Sequence, residues 1–265
     1  MANVLYLSYD GMTDQLGQSQ VLPYLVGLSK LDFRFHLISF EKQEHFSKSK
    51  SIIERICADA QITWHPLVYH KWPPVISTMY DIRVMTKKCF QLHQLYNFKI
   101  VHCRSYITPF AGQALKKHFA VKFIFDMRGF YADERVDGHI WNQNNPIFKW
   151  VYNYFKRAEK NFLKNADHII SLTSKAEKII QSWSLKNEKL PITVIPCCAD
   201  LSLFDYHKIT EESKTALRKK LGISMDANVI IYLGAIGSWY MLDEMLDFLT
   251  LINKNAQRKI LSCNQ

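Results

Sequence analysis

The stretch Val4-Leu-Tyr-Leu-Ser8, followed by Asp10-Gly-Met-Thr-Asp-Gln-Leu-Gly-Gln-Ser19, decides the fold. Its first part is a short apolar run, and its second part is rich in turn residues. After the turn, apolar residues recur at steps of four and three through Val21, Leu25 and Leu28, which is the pattern of one helix face. The chain therefore opens with a strand, a turn and a helix.

The same unit repeats along the first 195 residues. Six more apolar runs of strand length alternate with helical patterns: Phe33–Phe40, Ile62–Leu67, Ile100–Cys103, Lys122–Asp126, His168–Leu172 and Ile192–Ile195. Parallel strands need crossovers of helical length, whereas antiparallel strands can be joined by short turns. We therefore predict a doubly wound α/β domain over residues 1–195, with a parallel sheet of about seven strands.

The pattern starts again after residue 195. Residues 196–222 are expected to form a connector and a polar helix that ends at Gly222. Residues 223–265 are expected to begin a second α/β domain, with Val229–Leu233 as a buried strand and Met241–Asn253 as a helix. Because one strand and one helix cannot bury both faces of a sheet, we expect this second domain to be cut short.

Composition limits the classes of function without naming one. Among 265 residues, Lys and Arg outnumber Asp and Glu by 34 to 24, a net charge of +10 that favours anionic partners. No nucleic-acid recognition motif accompanies this charge, so no nucleic-acid partner is expected. The six cysteines show no CxxC spacing and the ten histidines no HExxH pair, so we predict no disulfide framework and no metal site. Without an export signal or a membrane-spanning apolar run, the sequence predicts a cytoplasmic protein.

The loop after the first strand is the first candidate site, because ligands of open parallel sheets bind beyond the carboxyl ends of the strands. Gly17 permits close backbone approach. Gln18, Ser19 and the amides that follow them are placed to donate to an anion at a helix N-terminus. The alternative is an ordinary polar loop, since the dinucleotide fingerprint GxGxxG is absent.

A second candidate loop begins at Asp126, which ends a predicted strand, and continues through Arg128 and Glu134. A carboxylate at this place can orient a hydroxyl group, and Arg128 can make a bidentate contact to a phosphate or carboxylate. The alternative is a surface ion pair between Arg128 and Asp133. We favour a functional site, because the aspartate ends the strand where the chain turns toward the crevice.

Two further strand ends give weaker signals. Arg104 ends the strand that begins at Ile100, and a solvated strand end is the competing interpretation. Thr173 follows the strand that begins at His168, and a threonine there is first of all a helix N-cap. Both residues are kept as candidate substrate-binding residues.

The predicted helix over residues 147–166 has a second face that is not apolar core. Trp150, Tyr154, Arg157 and Lys164 fall on the side opposite the apolar stripe. A mixture of aromatic and basic side chains suits contact with an anionic membrane surface. The alternative is a solvated basic face with two incidental aromatic residues.

Taken together, these segments resemble the N-terminal half of family 4 glycosyltransferases with the GT-B architecture. The resemblance runs from about residue 3 to residue 253, and its main segments are Tyr9–Gln20, Phe125–Arg135, Ala166–Thr173, Val194–Asp200 and Tyr232–Tyr240. It implies a Rossmann-like, acceptor-side domain over residues 1–195 and the start of a donor-binding domain after the connector.

The resemblance implies transfer of a sugar from a nucleotide-sugar to a glycan or lipid-linked acceptor, with retention of configuration, in cell-surface polysaccharide synthesis. The nucleotide-sugar is a substrate, so no cofactor and no obligatory metal are implied. Carried over by position, Asp126 lies beside the reacting sugar as the catalytic residue, and Arg128 steadies the acceptor. Gly17 and Gln18 approach the donor phosphate or the acceptor. The residues of the first donor-side loop are Gly234, Gly237, Ser238 and Trp239.

The nucleotide-binding motifs of this family, including an E-x7-E pair, should lie beyond residue 253, and the sequence does not contain them there. We therefore expect a truncated enzyme with little or no activity of its own. Two alternatives stay open. One is a half-enzyme completed by a separate donor-domain chain, and the other is a non-catalytic module that binds the acceptor or the inner membrane face.

Overall fold

The computed structural model describes residues 2–201, 204–234 and 240–253. The strands in these residues are β1 (Ala2–Leu7), β2 (Phe33–Glu41), β3 (Thr63–Val68), β4 (Ile100–Arg104), β5 (Lys122–Met127), β6 (His168–Ser171) and β7 (Ile192–Val194). The helices are α1 (Gln15–Gln20), α2 (Leu22–Leu28), α3 (Gln43–Asp59), α4 (Ile76–Tyr96), α5 (Pro109–His118), α6 (Tyr131–Asp137), α7 (Pro146–Asn165), α8 (Ser174–Ser182), α9 (Glu211–Lys220) and α10 (Leu242–Asn253). All seven strands predicted in residues 1–195 are present, and their ends differ from the predicted ones by at most two residues.

The seven strands are parallel and lie in the order β3-β2-β1-β4-β5-β6-β7. The chain first builds outward from β1 to β3 and then returns to place β4 on the other side of β1. The strand order therefore reverses between β1 and β4, which is where open α/β sheets bind their ligands. The predicted doubly wound, Rossmann-like α/β fold is confirmed.

The strand sequences are continuously apolar because both faces of the sheet are covered. Leu5 and Leu7 of β1 pack into one buried cluster, whereas Val4 and Tyr6 pack into another. Successive side chains of a strand point to opposite faces. A parallel sheet enclosed by two helical layers therefore needs apolar residues at nearly every position of its central strands.

The chain divides into two compact units, one formed by residues 1–134 and 142–197 and the other by residues 135–141 and 198–265. In the second unit, Thr210 starts α9 by accepting a hydrogen bond from the backbone N–H of Ser213. Gly222 follows the helix with a φ of 65°. This left-handed conformation favours glycine, so the predicted helix end at Gly222 is confirmed.

The predicted buried strand Val229–Leu233 is wrong. These residues have no regular secondary structure, and their side chains are exposed, with Leu233 at 94%. An apolar run becomes a strand only when a neighbouring strand takes up its backbone hydrogen bonds. No strand among the described residues pairs with this run, so its backbone stays irregular.

Helix α7 follows the predicted amphipathic pattern. Asn145 caps it by accepting a hydrogen bond from the N–H of Ile147, and Pro146 occupies the first turn, where a missing N–H costs little. Val151 and Phe162 are buried on its inner face. In the part of the chain that the structure describes, no helix is long and apolar enough to cross a bilayer.

Candidate functional site

Two arginines and an aspartate meet at the carboxyl ends of β4 and β5. Arg104 is the last residue of β4 and stands opposite Asp126 in the register of these neighbouring strands. Arg128 follows β5 directly. Because β4 borders the reversal of strand order, these side chains lie where the fold places its ligands.

The Asp126 carboxyl is surrounded by Arg104, Arg128 and His102 at distances too long for strong ion pairs. Its Oδ2 lies 3.4 Å from His102 Nε2 and 3.9 Å from an Arg104 guanidinium nitrogen, and its Oδ1 lies 3.6 Å from Arg128. Charge-assisted hydrogen bonds to carboxylates are usually about 2.7–2.9 Å long. The ion pairs of Asp126 with the two arginines are therefore weak.

Gln20 joins the two arginines at one point. Its Oε1 accepts hydrogen bonds from Arg128 at 3.0 Å and from Arg104 at 3.4 Å. Two guanidinium groups therefore converge on a single oxygen atom, a geometry that also suits an oxygen of a bound anion. We call Gln20, His102, Arg104, Asp126 and Arg128 the arginine cluster.

Burial strengthens the electrostatic interactions within the arginine cluster. Asp126 is only 4% exposed, and the Nε of Arg104 is buried without a hydrogen-bond partner, 3.5 Å from Asp10. Burial by itself raises the pKa of the Asp126 carboxyl. The hydrogen bond to His102 and the charges of Arg128 and Arg104 outweigh burial, so this pKa lies below its usual range.

Tyr6 of β1 borders the same charges from the neighbouring strand. Its ring centroid lies 4.5 Å from that of His102. Burial raises the pKa of the Tyr6 hydroxyl far above its usual value, and the negative charge of Asp126 raises it further. Tyr6 therefore stays neutral and contributes a polar hydroxyl rather than a charge.

The loop that carries Arg128 is held in place by close packing and hydrogen bonds. Gly129 has a φ of +131°, and a Cβ there would meet the Glu134 carboxyl, which explains the glycine and places Glu134 beside this loop. The Tyr106 hydroxyl donates to the Gly129 carbonyl and to the fully buried Glu159. Arg128 is thus held by a rigid support at the sheet edge.

The suggested ion pair between Arg128 and Asp133 is wrong. Asp133 instead accepts hydrogen bonds of 2.8 Å from both Tyr152 and Lys156 of α7. Lys156 also donates to Glu159. Asp133 therefore ties the second candidate loop to α7 and leaves Arg128 in the arginine cluster.

The first candidate loop is ordered by a buried acid of its own. Glu41, at the end of β2, accepts hydrogen bonds from the N–H groups of Met12 and Thr13 and from the hydroxyls of Thr13 and Ser39, at 2.5–3.1 Å. Gly17 packs so tightly that a Cβ would come within 2.1 Å of the Gly11 carbonyl. We call Glu41 with its three hydrogen-bonded partners Met12, Thr13 and Ser39 the Glu41 cluster.

The donors expected from Gln18 and Ser19 are engaged locally. The Gln18 backbone N–H donates to the Asp14 carbonyl, and its side chain donates to the Thr13 carbonyl. The Ser19 hydroxyl donates to the Gln15 carbonyl. Gln20, one position further along the chain, reaches the arginine cluster.

The remaining predicted residues lie apart from the arginine cluster or outside the described residues. Thr173 caps α8 by accepting a hydrogen bond from the Ala176 N–H. Gly234 is exposed. Three residues of the predicted donor-side loop lie outside the described residues: Gly237, Ser238 and Trp239.

The outer face of α7 carries the predicted aromatic pair. Trp150 and Tyr154 are 63% and 45% exposed, and their rings stack with centroids 5.7 Å apart. Arg157 and Lys164 on the same helix are also exposed. The four side chains thus form one surface, which we call the α7 face.

Sequence reasoning missed the roles of Gln20 and Glu41. Gln20 is the last residue of α1 but contacts arginines that are 84 and 108 positions away. Glu41 accepts hydrogen bonds from two loop residues that lie 28 and 29 positions before it in the sequence. For both residues the sequence signal was weak. Each is a polar residue close to the carboxyl end of a predicted strand or in the segment that follows one.

The fold is a parallel α/β sheet with two arginines that converge where the strand order reverses. The chain belongs to Glycosyltransferase Family 4, whose family profile matches residues 21–203. The GT-B expectation is also confirmed by the fold of solved glycosyltransferases. A comparison with curated proteins gives no match.

Three solved structures illustrate the likeness. Sucrose-phosphate synthase from Thermosynechococcus elongatus matches with a TM-score of 0.67 and 13% identity, over 96% of this chain and 60% of that one. A glycosyltransferase from Rickettsia africae matches with a TM-score of 0.58 and 14% identity, over 96% and 58%. Arabidopsis thaliana UGT89C1, complexed with UDP, matches with a TM-score of 0.52 and 10% identity, over 96% and 63%. This chain thus spans about 60% of the length of these relatives.

Proposed function

We propose that the protein takes part in transfer of a sugar from a nucleotide-sugar to a hydroxyl group of a glycan or lipid-linked acceptor. Membership of Glycosyltransferase Family 4 supports the reaction class. Retention of the sugar's configuration and a role in cell-surface polysaccharide synthesis are part of the same proposal, and they rest on the family resemblance. The observation that carries the proposal is the convergence of Arg104 and Arg128 on one oxygen position.

In this proposal, the arginine cluster receives the diphosphate of the donor. A phosphate oxygen replaces the Gln20 side chain between the two guanidinium groups, which then offset the negative charge that develops on the leaving diphosphate. The guanidinium geometry matches phosphate because it offers parallel N–H donors. The long distances to Asp126 leave these donors available.

Asp126 is proposed as a positioning residue in this arrangement. Its two oxygens lie near Arg104, Arg128 and His102. A buried carboxylate among cations fixes their orientation and balances their charge. The catalytic role expected from the sequence stays a prediction. The variant Asp126→Asn separates the two roles. Loss of donor binding indicates positioning, whereas loss of turnover with unchanged donor binding indicates catalysis.

Calorimetric titration of the full chain with UDP, pyrophosphate and uridine tests the proposal. UDP and pyrophosphate are expected to bind and uridine to bind much more weakly. Arg128→Ala should weaken UDP binding by about tenfold or more, because a charged hydrogen bond contributes roughly 1.5–3 kcal/mol. Arg55→Ala, which removes an exposed arginine of α3, is the matched control.

Two results would contradict the proposed site. One is equal weakening of UDP binding by Arg128→Ala and Arg55→Ala, which would indicate attraction by the net charge alone. The other is unchanged UDP binding in Arg128→Ala. Binding of glucose 6-phosphate in preference to UDP would assign the cluster to a phosphorylated acceptor instead of the donor.

A second candidate function is contact with an anionic membrane surface through the α7 face. The stacked, exposed Trp150 and Tyr154 support it, because aromatic side chains with basic neighbours suit the interface of a bilayer. Flotation with phosphatidylglycerol vesicles should carry the chain, and the double variant Trp150→Ala/Tyr154→Ala should float less. Trp72→Ala, another exposed tryptophan, is the control, and an equal effect of both variants would contradict a specific role for α7.

A further inference from the structure

A histidine and a buried aspartate form a second polar site on the same edge of the sheet. His70 follows β3, and its Nδ1 lies 2.6 Å from Oδ1 of Asp81 on α4. Asp81 is fully buried, and its Oδ2 accepts hydrogen bonds from the His70 backbone N–H and from the Tyr9 hydroxyl. These contacts fill both oxygens of the carboxyl group.

This arrangement fixes the direction in which the imidazole can bind a ligand. The Asp81 carboxylate accepts a hydrogen bond from the Nδ1–H of His70, and this tautomer carries the free lone pair of the ring on Nε2. The His70 side chain is 42% exposed, and no described residue offers Nε2 a hydrogen-bond partner. The backbone contact to Asp81 is enough to hold the loop in place. The second contact, through the imidazole ring, also fixes the direction of Nε2, which is open to accept a hydrogen bond.

Aromatic side chains lie beside the imidazole and in the segments next to it. The Tyr80 ring meets the His70 ring edge-on at 5.1 Å, and the Tyr9 ring packs against Tyr69 at 5.5 Å. Trp72 and Tyr80 are largely exposed. Ligand sites commonly combine apolar and aromatic walls with a few fixed polar groups, and this edge has both.

The loop after β1 connects this site to the arginine cluster. Tyr9 donates to Asp81, and the next residue, Asp10, lies 3.5 Å from the guanidinium of Arg104. Strand β3 is three positions from β4 in the sheet. With neighbouring strands about 4.8 Å apart, the two sites are separated by roughly 14 Å.

We propose that His70, held by Asp81 and bordered by Tyr80, binds a hydroxyl group of the sugar acceptor at a subsite remote from the reacting hydroxyl. This inference rests on the proposed function. The sugar carbon that reacts is bonded directly to the donor diphosphate, so it must lie next to the arginine cluster. A group about 14 Å away does not deprotonate the attacking hydroxyl but recognises a more distant part of the acceptor. The acceptor is therefore longer than one sugar ring.

Binding of the full chain to an array of immobilised oligosaccharides, in the presence of UDP, tests this subsite. The wild-type chain should bind a subset of glycans of two or more sugar units. His70→Gln should weaken that binding roughly five- to tenfold, the effect of losing one neutral hydrogen bond. Asp81→Asn should also weaken it, because the ring loses its fixed orientation.

His45→Gln is the matched control. His45 is also half-exposed, and its Nδ1 lies 2.7 Å from Oδ1 of Asp14, but these two atoms do not form a hydrogen bond, and Asp14 also pairs with Lys42. This variant should leave glycan binding unchanged. Circular dichroism of each variant checks that the fold is retained, and His70→Ala provides a second substitution at the exposed position.

Three outcomes would overturn the inference: no glycan bound by the wild type, equal binding by His70→Gln, or equal losses in the His70 and His45 variants. UDP binding measured on the same samples separates the two proposals. Intact UDP binding with no effect of His70 contradicts only the acceptor subsite. Loss of UDP binding by the wild type, with glycan binding that depends on His70, contradicts only the proposed donor site.

Discussion

Two buried acids at the same edge of the sheet have opposite surroundings. Glu41, at the end of β2, is bonded by neutral donors at 2.5–3.1 Å. Asp126, in β5, lies among two arginines and a histidine at 3.4–3.9 Å. The short contacts satisfy the acceptors of Glu41 within the protein, whereas the contacts of Asp126 are too long for strong ion pairs. Equal burial thus serves structure in one cluster and, in our proposal, recognition of a phosphate in the other.

The largest expected effect comes from breaking the Glu41 cluster. Glu41→Ala leaves the buried N–H groups of Met12 and Thr13 without their acceptor, so we expect a loss of about 3 kcal/mol or more in the free energy of unfolding. Urea denaturation followed by circular dichroism measures it. Glu41→Gln, which keeps one acceptor, should lose less. An unchanged midpoint in Glu41→Ala would show that this acid does not support the fold.

A substitution at Gly17 tests whether the loop ordered by Glu41 also depends on close packing at this glycine. A Cβ at Gly17 would lie 2.1 Å from a backbone oxygen that cannot move freely, so Gly17→Ala should destabilise the fold by about 2–3 kcal/mol. Gly27 in α2 has no atom within 4 Å of such a Cβ. Gly27→Ala is therefore the control and should raise stability by up to about 1 kcal/mol. Equal effects of the two variants, measured by urea denaturation, would contradict this packing.

The fold of residues 1–197 was predictable because it depends on local pattern. Apolar runs and helical spacing identify a parallel sheet without knowledge of any contact. Arg104, Asp126 and Arg128 were found because each lies at or just after the end of a strand, and the carboxyl ends of parallel strands lie at one edge. Gln20 and Glu41 were missed because their partners are set by the register of distant segments.

The run Val229–Leu233 shows the limit of the same reasoning. Its five residues are as apolar as those of β1, but β1 lies between two strands and this run pairs with none among the described residues. Hydrophobicity indicates what a segment can bury, not whether a neighbour exists. Similarly, no periodicity places His70 beside Asp81, because a loop and a helix must pack first.

A pair of histidines, one buried and one half-buried, should dominate the acid sensitivity of the fold. His36 and His65 lie 3.3 Å apart, and burial together with the smaller effect of nearby positive charge lowers the pKa of each to about 4. The native state therefore binds fewer protons than the unfolded chain between about pH 6.5 and 4. Stability is complete above pH 6.5 and falls as the pH drops through this window.

Urea unfolding at pH 7.5, 5.5 and 4.5 measures this loss, at a slope of up to about 1.4 kcal/mol per pH unit for each proton. His65→Asn should reduce the slope by about half. Asp126 has a lowered pKa, so its contribution is lost only at lower pH. A wild-type stability that is constant from pH 7.5 to 4.5 would contradict the role of the histidine pair.

The smallest expected effect is on the reactivity of a thiol beside the arginine cluster. Cys197 is exposed, and its Sγ lies 3.6 Å from an Arg128 nitrogen. In a Cys198→Ser/Cys263→Ser background, UDP at a concentration equal to its Kd should slow iodoacetamide alkylation by about twofold, the fraction of sites occupied. Uridine at the same concentration should not slow it. Equal rates with and without UDP would mean that the ligand does not approach Arg128.

NMR of the arginine side chains during anion binding tests the proposed phosphate site most directly. The buried Nε–H of Arg104 has no hydrogen-bond partner, so its NMR signal should shift in a saturable way as UDP is added. The account predicts that Arg104 and Arg128 signals move together with one Kd, and that uridine leaves both unchanged. Saturable UDP binding that moves neither signal, or equal shifts with uridine, would contradict the claim that the arginine cluster is an open phosphate site.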